Sequence, residues 1–272
     1  MKTDVLQLVH KAIRNPQRAA LRLVLKARVS RTTLGRDRYR LLGVISRAWN
    51  VDAWGLLDEY RKSEYARWYR RRLARLRTTS GSSRMGTSGD FHCEAMYVLV
   101  RAARPETVVE TGVLYGASSG HILSALEANG QGRLFSIDFG VQPGEPPHDF
   151  LLHPRTLARW EYIVGDAKEE LPRLLGRLGR IDMFHHDSLH TYDHMMWEFA
   201  TVAAHLGSTG VLASHDVFVS ESLRSIFRQN AFPAFCEQRE LRHIMVRNSG
   251  IARPRRKRPS APGPWRPSLE PA

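Results

Sequence analysis

The sequence predicts an α/β protein in which a doubly wound, mostly parallel seven-stranded sheet follows a basic helical extension. Three observations support this prediction. Between residues 91 and 249, short β-branched or apolar runs alternate with stretches of helical length and periodicity. A carboxylate closes each of the main β-branched or apolar runs. Before residue 78, apolar residues recur at helical spacing, with arginines at the positions between them.

The predicted elements of 91–249 begin with a helix and continue as strands that alternate with helices. Strands are expected at 107–111, 132–138, 162–164, 181–185 and 211–214, and helices at 94–103, 118–128, 167–178 and 191–205. Two later runs, 232–236 and 242–246, are interpreted as an antiparallel pair that completes the sheet.

Residues 1–77 are predicted to form the helical extension. Aromatic and aliphatic residues in 56–76 recur at helical spacing, and arginines lie between them. Two alternatives are open: the helices pack as a cap on the domain at 91–249, or they lie on a membrane surface. The polar, glycine-rich stretch 78–90 is predicted to be a flexible linker, and the basic, proline-rich stretch 250–272 a disordered tail.

The net charge of +14 is unevenly distributed. Residues 1–90 carry 21 Lys and Arg against 7 Asp and Glu, residues 91–249 carry 14 against 19, and residues 250–272 carry 6 against 1. Basic flanks favour acidic partners such as an anionic membrane, nucleic acid or a phosphorylated substrate. No apolar run reaches the roughly 18 residues of a membrane span, and the N-terminus shows no signal-peptide pattern.

The two cysteines are far apart in the sequence and match no metal or redox spacing. Reduced thiols in a cytoplasmic protein are therefore expected. The basic extension adds the alternative that the protein is held peripherally at a membrane.

The most specific motif of the chain lies in 107–119. A β-branched run ends at Glu110, Gly112 and Gly116 frame a turn, and Ser118 begins a helical stretch. A strand, a glycine turn and a helix in this order present helix N-terminal N–H groups to an anionic or polar ligand. Three residues separate the glycines, so the spacing differs from the G-x-G-x-x-G of nicotinamide-binding proteins.

A carboxylate stands at or just after the end of each of the main predicted strands. Because parallel strands present their carboxyl ends at one edge of a sheet, these acids are expected to converge. Each acid alone has the alternative role of a helix N-cap. The acids are Glu110, Asp138, Asp166, Asp187 and Asp216.

The glycine motif, in the form E-x-G-x-x-x-G-x-S, resembles motif I of the class I S-adenosylmethionine-dependent methyltransferases, as used by the catechol-type O-methyltransferases. Residues 184–193 and 214–217 are similar to segments of bacterial rhamnosyl O-methyltransferases and of proteins named cephalosporin hydroxylases. The resemblance covers about 91–249 and implies a Rossmann-like methyltransferase fold. It implies S-adenosylmethionine as methyl donor and a hydroxyl as acceptor. No two-His-one-carboxylate iron motif is evident at ligand spacing, so hydroxylase chemistry is not expected.

The resemblance also implies roles for the residues that contact the donor. Asp138 corresponds to the acid that binds both ribose hydroxyls, and Asp166 to the position that faces the adenine. Ser118 would bind the methionine carboxylate, while Glu110 either orients the turn or is a purely structural cap. The full implied donor-binding set is Glu110, Gly112, Tyr115, Gly116, Ser118, Asp138, Asp166 and Asp187.

The remaining implied residues would activate the acceptor hydroxyl. Asp187 and His190 are the candidate catalytic residues, with His190 as general base. Asp187, His215 and Asp216 are the candidate ligands of Mg²⁺ or Mn²⁺, although His215 replaces an acid and favours a softer ion. Three nearby histidines are candidate cation ligands as well, but each is interpreted first as a surface or core residue: His185, His186 and His194.

The leading interpretation is thus an O-methyltransferase whose acceptor is a small molecule or a glycoside. Its other expected partners are a membrane surface, contacted by 1–77, and a second copy of the chain in a homo-oligomer. Two alternatives from other classes stay open. One is an RNA-associated methyltransferase or nucleic-acid-binding protein that uses the basic flanks, although no aromatic recognition motif interrupts them. The other is a membrane-surface binding protein with a non-catalytic core.

Overall fold

The structure, a computed structural model, describes residues 16–79, 90–140, 151–217 and 230–255. These residues form eight α-helices, one 3₁₀ helix and seven strands. The helices are α1 (Pro16–Trp49), α2 (Ala53–Lys62), α3 (Glu64–Thr79), α4 (Asp90–Ala103), α5 (Ala117–Asn129), α6 (Ala167–Leu178), α7 (Tyr192–Ala203) and α8 (Ala231–Gln238), with the 3₁₀ helix at Pro154–Arg159. The strands are β1 (Thr107–Thr111), β2 (Arg133–Asp138), β3 (Trp160–Val164), β4 (Ile181–His186), β5 (Leu206–Ser214), β6 (Arg242–Val246) and β7 (Ser249–Arg253).

The strands form one seven-stranded sheet in the order β3-β2-β1-β4-β5-β7-β6. The strands β1 to β5 pair in parallel, and β7 pairs antiparallel with both β5 and β6. The predicted doubly wound, mostly parallel sheet is therefore confirmed. The strand order reverses between β1 and β4, which is the position where such sheets open a crevice for ligands.

The hydrophobic core lies in two layers, one on each face of the sheet. Val108 belongs to the layer that includes α4 and α5, whereas Val109 belongs to the layer that includes α6, α7 and α8. This alternation follows from the two-residue period of a strand. Helices therefore cover both faces and leave the carboxyl edge of the sheet for the loops.

The prediction of a strand at 232–236 is wrong, because these residues lie in α8. Phe232, Phe235 and Cys236 recur at helical spacing and are buried against the second core layer. Pro233 lies in the first turn of the helix, where a backbone N–H has no intrahelical partner. A short apolar run fits a strand or a buried helix equally well, and its packing decides between them.

The prediction that disorder begins at residue 250 is also wrong. Residues 250–253 belong to β7, which supplies the antiparallel partner of β6. Ile251 and Ala252 are buried in opposite core layers. The tail beyond residue 255 lies outside the described residues.

The described part of the extension packs against the domain. Tyr60, Tyr65, Tyr69 and Leu73 of α2 and α3 are buried in the same core layer as α4 and α5. The Tyr60 hydroxyl lies 2.6 Å from Nε2 of His121 on α5. Packing as a cap is thus the arrangement that the structure shows for the apolar face of 56–76.

Only part of the predicted linker 78–90 is described. Its first two residues extend α3, its last residue begins α4, and 80–89 lie outside the described residues. Arg67, Arg70 and Arg71 are on the exposed face of α3. Among the helices that the structure describes, none is long and apolar enough to cross a bilayer.

Candidate functional site

A cavity of about 590 Å³ opens at the carboxyl edge of the sheet. Its walls come from the loops that follow β1 to β5, and these loops meet where the strand order reverses. The volume lies within the roughly 300–1,000 Å³ that is usual for small-molecule sites. Eight of the predicted site residues line it: Gly112, Tyr115, Asp138, Asp166, Asp187, His190, His215 and Asp216.

Glu110 and Ser118 lie behind the cavity wall, which differs from the prediction that they contact the donor. The Glu110 carboxylate is fully buried and accepts hydrogen bonds from the hydroxyls of Ser118 (2.7 Å), Ser119 (2.6 Å) and Ser136 (2.9 Å). Ser118 is 2% exposed, and its hydroxyl is directed at Glu110. Glu110 therefore fastens the start of α5 to β2, which is the purely structural alternative for this acid.

Gly112 allows two loops of the site to touch. Its φ of 84° is in the left-handed region, and a Cβ added there would lie 2.2 Å from the carbonyl oxygen of Asp187. The backbone N–H of Asp187 in turn donates to the carbonyl of Thr111 (2.8 Å). Gly116, with a φ of 75°, is the N-cap of α5 and shapes the turn from outside the cavity wall. Gly112 thus permits close contact between the loop after β1 and the loop that carries Asp187.

Asp138 lines the cavity and also organises the glycine loop. Its Oδ2 accepts from the backbone N–H groups of Val113 (2.6 Å) and Leu114 (3.3 Å), and its Oδ1 accepts from that of Gly140 (3.1 Å). Asp166 lines the cavity and is also the N-cap of α6, where it accepts from the N–H of Lys168 (2.9 Å).

Asp187, His190, His215 and Asp216 meet at the end of the cavity beside β4 and β5; we call them the carboxylate–histidine cluster. Nδ1 of His215 lies 2.9 Å from Oδ1 of Asp187. Nε2 of His190 lies 3.6 Å from Oδ1 of Asp187 and 3.6 Å from Oδ2 of Asp216. The amide of Asn248 donates to the other oxygen of Asp216 (2.8 Å). Asp187 and His190 follow β4, and His215 and Asp216 follow β5, so the two loops bring together residues that are at least 25 positions apart in the sequence.

The charges within the cluster shift its protonation. Burial alone would raise the pKa of the Asp187 carboxyl, but His215 outweighs burial and holds it well below the usual range. Burial alone would lower the pKa of His215, but Asp187 and then Asp216 raise it to about 9. At pH 7 these two side chains therefore form an ion pair. For His190, burial lowers the pKa despite the opposing effect of Asp187, so its imidazole is neutral and able to accept a proton.

The cluster contains a donor set that fits a divalent cation. One ligand atom from each of Asp187, His190 and His215 lies within 4.8 Å of the others. The predicted metal set lacked His190, which sequence reasoning assigned as the base. A two-His-one-carboxylate set does form here, contrary to the expectation from spacing. This set could not be recognised as a sequence motif, because His215 follows β5 whereas Asp187 and His190 follow β4.

Glu198 is a site residue that sequence reasoning missed. It lies on α7, is fully buried, and has four donors that tie it to the ends of β1 and β4 and to the loop around Asp187. Burial would raise the pKa of its carboxyl, but His186 and His194 lower it to about 2. The donors are Thr111 Oγ1 (2.8 Å), His186 Nδ1 (2.6 Å), Ser188 Oγ (2.9 Å) and His194 Nε2 (2.9 Å).

Asp187 lies between two of these donors, His186 and Ser188, so Glu198 fixes the backbone on both sides of it. The i,i+4 spacing of His194 and Glu198 was the one local signal of this contact. His185 and His186 are buried, as expected for core histidines, whereas His194 is buried but also lines the cavity.

Comparison with known proteins agrees with this architecture. Residues 109–217 match a family model described as a methyltransferase domain. A methyltransferase from Geobacter sulfurreducens aligns with a TM-score of 0.50 at 19% identity, over 68% of this chain and 88% of that chain. The O-methyltransferase TomG from Streptomyces achromogenes, which is involved in tomaymycin synthesis and was solved with SAM, aligns with a TM-score of 0.50 at 17% identity, over 70% of this chain and 89% of that chain. No curated protein matches the chain significantly.

The family match begins in β1 and ends just after the cluster at β5, so it spans the loops that build the cavity. The solved structures extend the likeness to the fold of the sheet and its helices. Residues 109–217 are therefore similar to a methyltransferase domain, and the sheet around them has the Rossmann-like fold that the sequence predicts.

Proposed function

We propose that the protein transfers a methyl group from S-adenosylmethionine to a hydroxyl of a small molecule or glycoside. The observation that carries this proposal is one continuous cavity with two chemically different ends. Asp138 and Asp166 lie at the end below β2 and β3, and the carboxylate–histidine cluster lies at the end below β4 and β5. Gly112 lies between them, at the strand β1.

The end beside β2 and β3 suits an adenosine. The carboxylate of Asp138 can accept hydrogen bonds from both hydroxyls of a ribose, in addition to those it accepts from the glycine loop. Ile137 and Ala167 supply apolar wall on which a purine can pack. Asp166, beside Ala167, is placed to accept a hydrogen bond from an exocyclic amine. These features support the assignment of this end to the donor.

The end beside β4 and β5 suits the activation of a hydroxyl. Methyl transfer breaks the sulfur–carbon bond of the donor and forms a carbon–oxygen bond, and the hydroxyl must lose its proton. A divalent cation, when bound, lowers the pKa of a hydroxyl that coordinates it. Asp187, His190 and His215 are the residues that would hold such a cation. Without one, neutral His190 is the proton acceptor, and Asp187 and Asp216 stabilise the imidazolium that results.

An apolar residue at the cavity mouth favours an acceptor with an apolar part. Leu189 lines the cavity and is 53% exposed. Burial of this side chain against an acceptor would contribute to its affinity. The pattern is compatible with an aglycone or an aromatic acceptor that carries the reacting hydroxyl.

Calorimetric titration with S-adenosylmethionine and S-adenosylhomocysteine tests the donor assignment. We expect saturable binding to the full-length protein, and the proposal fails if neither compound binds at high micromolar concentration.

Methyl transfer is then measured as S-adenosylhomocysteine release with a panel of phenolic and glycoside hydroxyls. His190→Gln should abolish transfer and leave donor binding intact. The matched control is His205→Gln, because His205 precedes β5 at the opposite edge of the sheet.

A further inference from the structure

We infer that the set of Asp187, His190 and His215 selects a first-row transition ion, from Fe²⁺ to Zn²⁺, over Mg²⁺. The inference deepens the proposed function, since it concerns the acceptor end of the same cavity. It nevertheless makes a claim about ion binding by the protein alone, which can be measured without a methyl donor or an acceptor.

The chemistry of the donor atoms is the first argument. Two of the three ligand atoms that converge are imidazole nitrogens, and only one is a carboxylate oxygen. Mg²⁺ prefers oxygen ligands and gives up its water reluctantly, whereas imidazole is a good ligand for Fe²⁺, Co²⁺, Ni²⁺ and Zn²⁺. Two imidazoles and one carboxylate on a single face, with the other positions open, are typical of a non-haem iron-type site.

The spacing of these atoms is the second argument. Ligands of an ion at about 2.1 Å lie about 3.0 Å apart at right angles and about 3.4 Å apart at the tetrahedral angle. Nδ1 of His215 is 2.9 Å from Oδ1 of Asp187, and Nε2 of His190 is 3.6 Å from the same oxygen. These two separations lie near those that a single ion requires, and the two imidazole nitrogens of the set lie within 4.8 Å of each other.

The position of His190 argues against an oxygen-only site. Its Nε2 lies 3.6 Å from an oxygen of Asp187 and 3.6 Å from an oxygen of Asp216, so a nitrogen ligand stands beside both carboxylates. The other oxygen of Asp216 accepts from the amide of Asn248 (2.8 Å) and lies 3.7 Å from Nε2 of His215. Each oxygen of Asp216 therefore has an imidazole nitrogen within 3.7 Å, so a cation at these carboxylates has nitrogen ligands in reach.

The backbone holds the ligand-bearing loops firmly. The N–H of Asp187 donates to Thr111 (2.8 Å), and the N–H of His215 donates to the carbonyl of His186 (2.9 Å). Both loops therefore continue the hydrogen bonding of the sheet. A site on a rigid scaffold discriminates between ions by donor type, because it cannot rearrange to offer more oxygens.

The experiment uses full-length protein that has been treated with a chelator and titrated separately with Co²⁺, Zn²⁺ and Mg²⁺. We expect Co²⁺ and Zn²⁺ to bind at least about 100-fold more tightly than Mg²⁺. The visible absorption of the Co²⁺-loaded protein should show ligation by nitrogen. Affinities for Co²⁺ and Mg²⁺ within threefold of each other, or no ion bound below millimolar concentration, would overturn the inference. The cluster would then be an ion-pair network without a metal.

A substitution tests the donor argument directly. His215→Asp replaces one nitrogen by oxygen, and we expect the preference for Co²⁺ over Mg²⁺ to fall at least about tenfold. His205→Gln, outside the cavity, should leave the preference unchanged. An unchanged preference in His215→Asp would contradict the inference. If that variant does not fold, the wild-type affinities and the Co²⁺ spectrum decide the matter alone.

Failure of this inference is separable from failure of the proposed function. Donor binding is measured in the chelator-treated protein, so an absence of S-adenosylmethionine binding refutes the methyltransferase proposal and leaves the ion preference standing. Normal donor binding with equal Mg²⁺ and Co²⁺ affinities refutes only the ion preference.

Discussion

Replacing Gly112 with alanine should damage both ends of the cavity at once. The new Cβ would lie 2.2 Å from the carbonyl oxygen of Asp187, 2.5 Å from its carbonyl carbon and 2.8 Å from the nitrogen of Ser188. All three are backbone atoms, so no side-chain rotation relieves the contact. The loop that carries Asp187 must therefore move away from the loop after β1.

The loss of unfolding free energy in Gly112→Ala has two parts, which matched control variants can separate. A non-glycine residue in the left-handed region costs about 1–2 kcal/mol, and a forced backbone shift costs about 1–3 kcal/mol more. Gly130 has a φ of 71° and open space around its Cβ position, so Gly130→Ala carries only the first cost. Gly176, in α6, also has open space and no positive φ, so Gly176→Ala is expected to stabilise by up to about 1 kcal/mol.

Urea unfolding and calorimetric titration with S-adenosylmethionine measure the two effects. We expect Gly112→Ala to lose about 2–5 kcal/mol of unfolding free energy, which is a melting-temperature drop on the order of 10 °C. Donor affinity should fall in Gly112→Ala and stay unchanged in the two controls. Equal destabilisation of Gly112→Ala and Gly130→Ala, with unchanged donor affinity in both, would refute the argument that Gly112 serves the contact between the loops.

Three further perturbations test other parts of the site. Glu198→Ala leaves four donors without their buried acceptor, so it should lower the unfolding free energy by about 3–5 kcal/mol in urea titrations, whereas Glu169→Ala at an exposed pair should change it by less than about 0.5 kcal/mol. Asp138→Asn should weaken S-adenosylmethionine binding at least about tenfold by calorimetry, with exposed Asp193→Asn as the control; equal affinities would remove Asp138 from the donor site. His215, whose folded-state pKa is raised to about 9 from 6.5, contributes stability that is complete below pH 6.5 and is lost as pH rises through 9. Melting temperatures in metal-free buffer between pH 6 and pH 10 should therefore fall more for wild type than for His215→Asn.

The sequence was sufficient for the features that depend on neighbouring residues. β1 and its glycine turn are local, since a β-branched run ends in an acid and two glycines supply the positive φ. Asp138, Asp166 and Asp187 could be placed on one edge because parallel strands align their ends. These positions together define the cavity.

Features that depend on packing between parts of the chain far apart in the sequence could not be predicted from the sequence. Residues 232–236 became a helix because the second core layer buries one side of them. Glu198 gained its role from four partners, which lie on β1, on β4, in the loop after β4 and on its own helix, and of these only His194 is within one helical turn of it. The carboxylate–histidine cluster likewise joins loops after two strands, so the ligand set could not be read as one motif.

The position of β7 has a consequence for how the chain folds as it is synthesised. β7 lies between β5 and β6, although it follows both in the sequence. While the chain grows from its N-terminus, β5 therefore presents an unpaired edge until residue 253 has emerged. The loops after β1, β2 and β3 are complete long before that point, whereas the strand next to His215 gains its neighbour last. The half of the cavity beside β2 and β3 can thus form during translation, and the half that holds the cluster is completed only when β7 inserts.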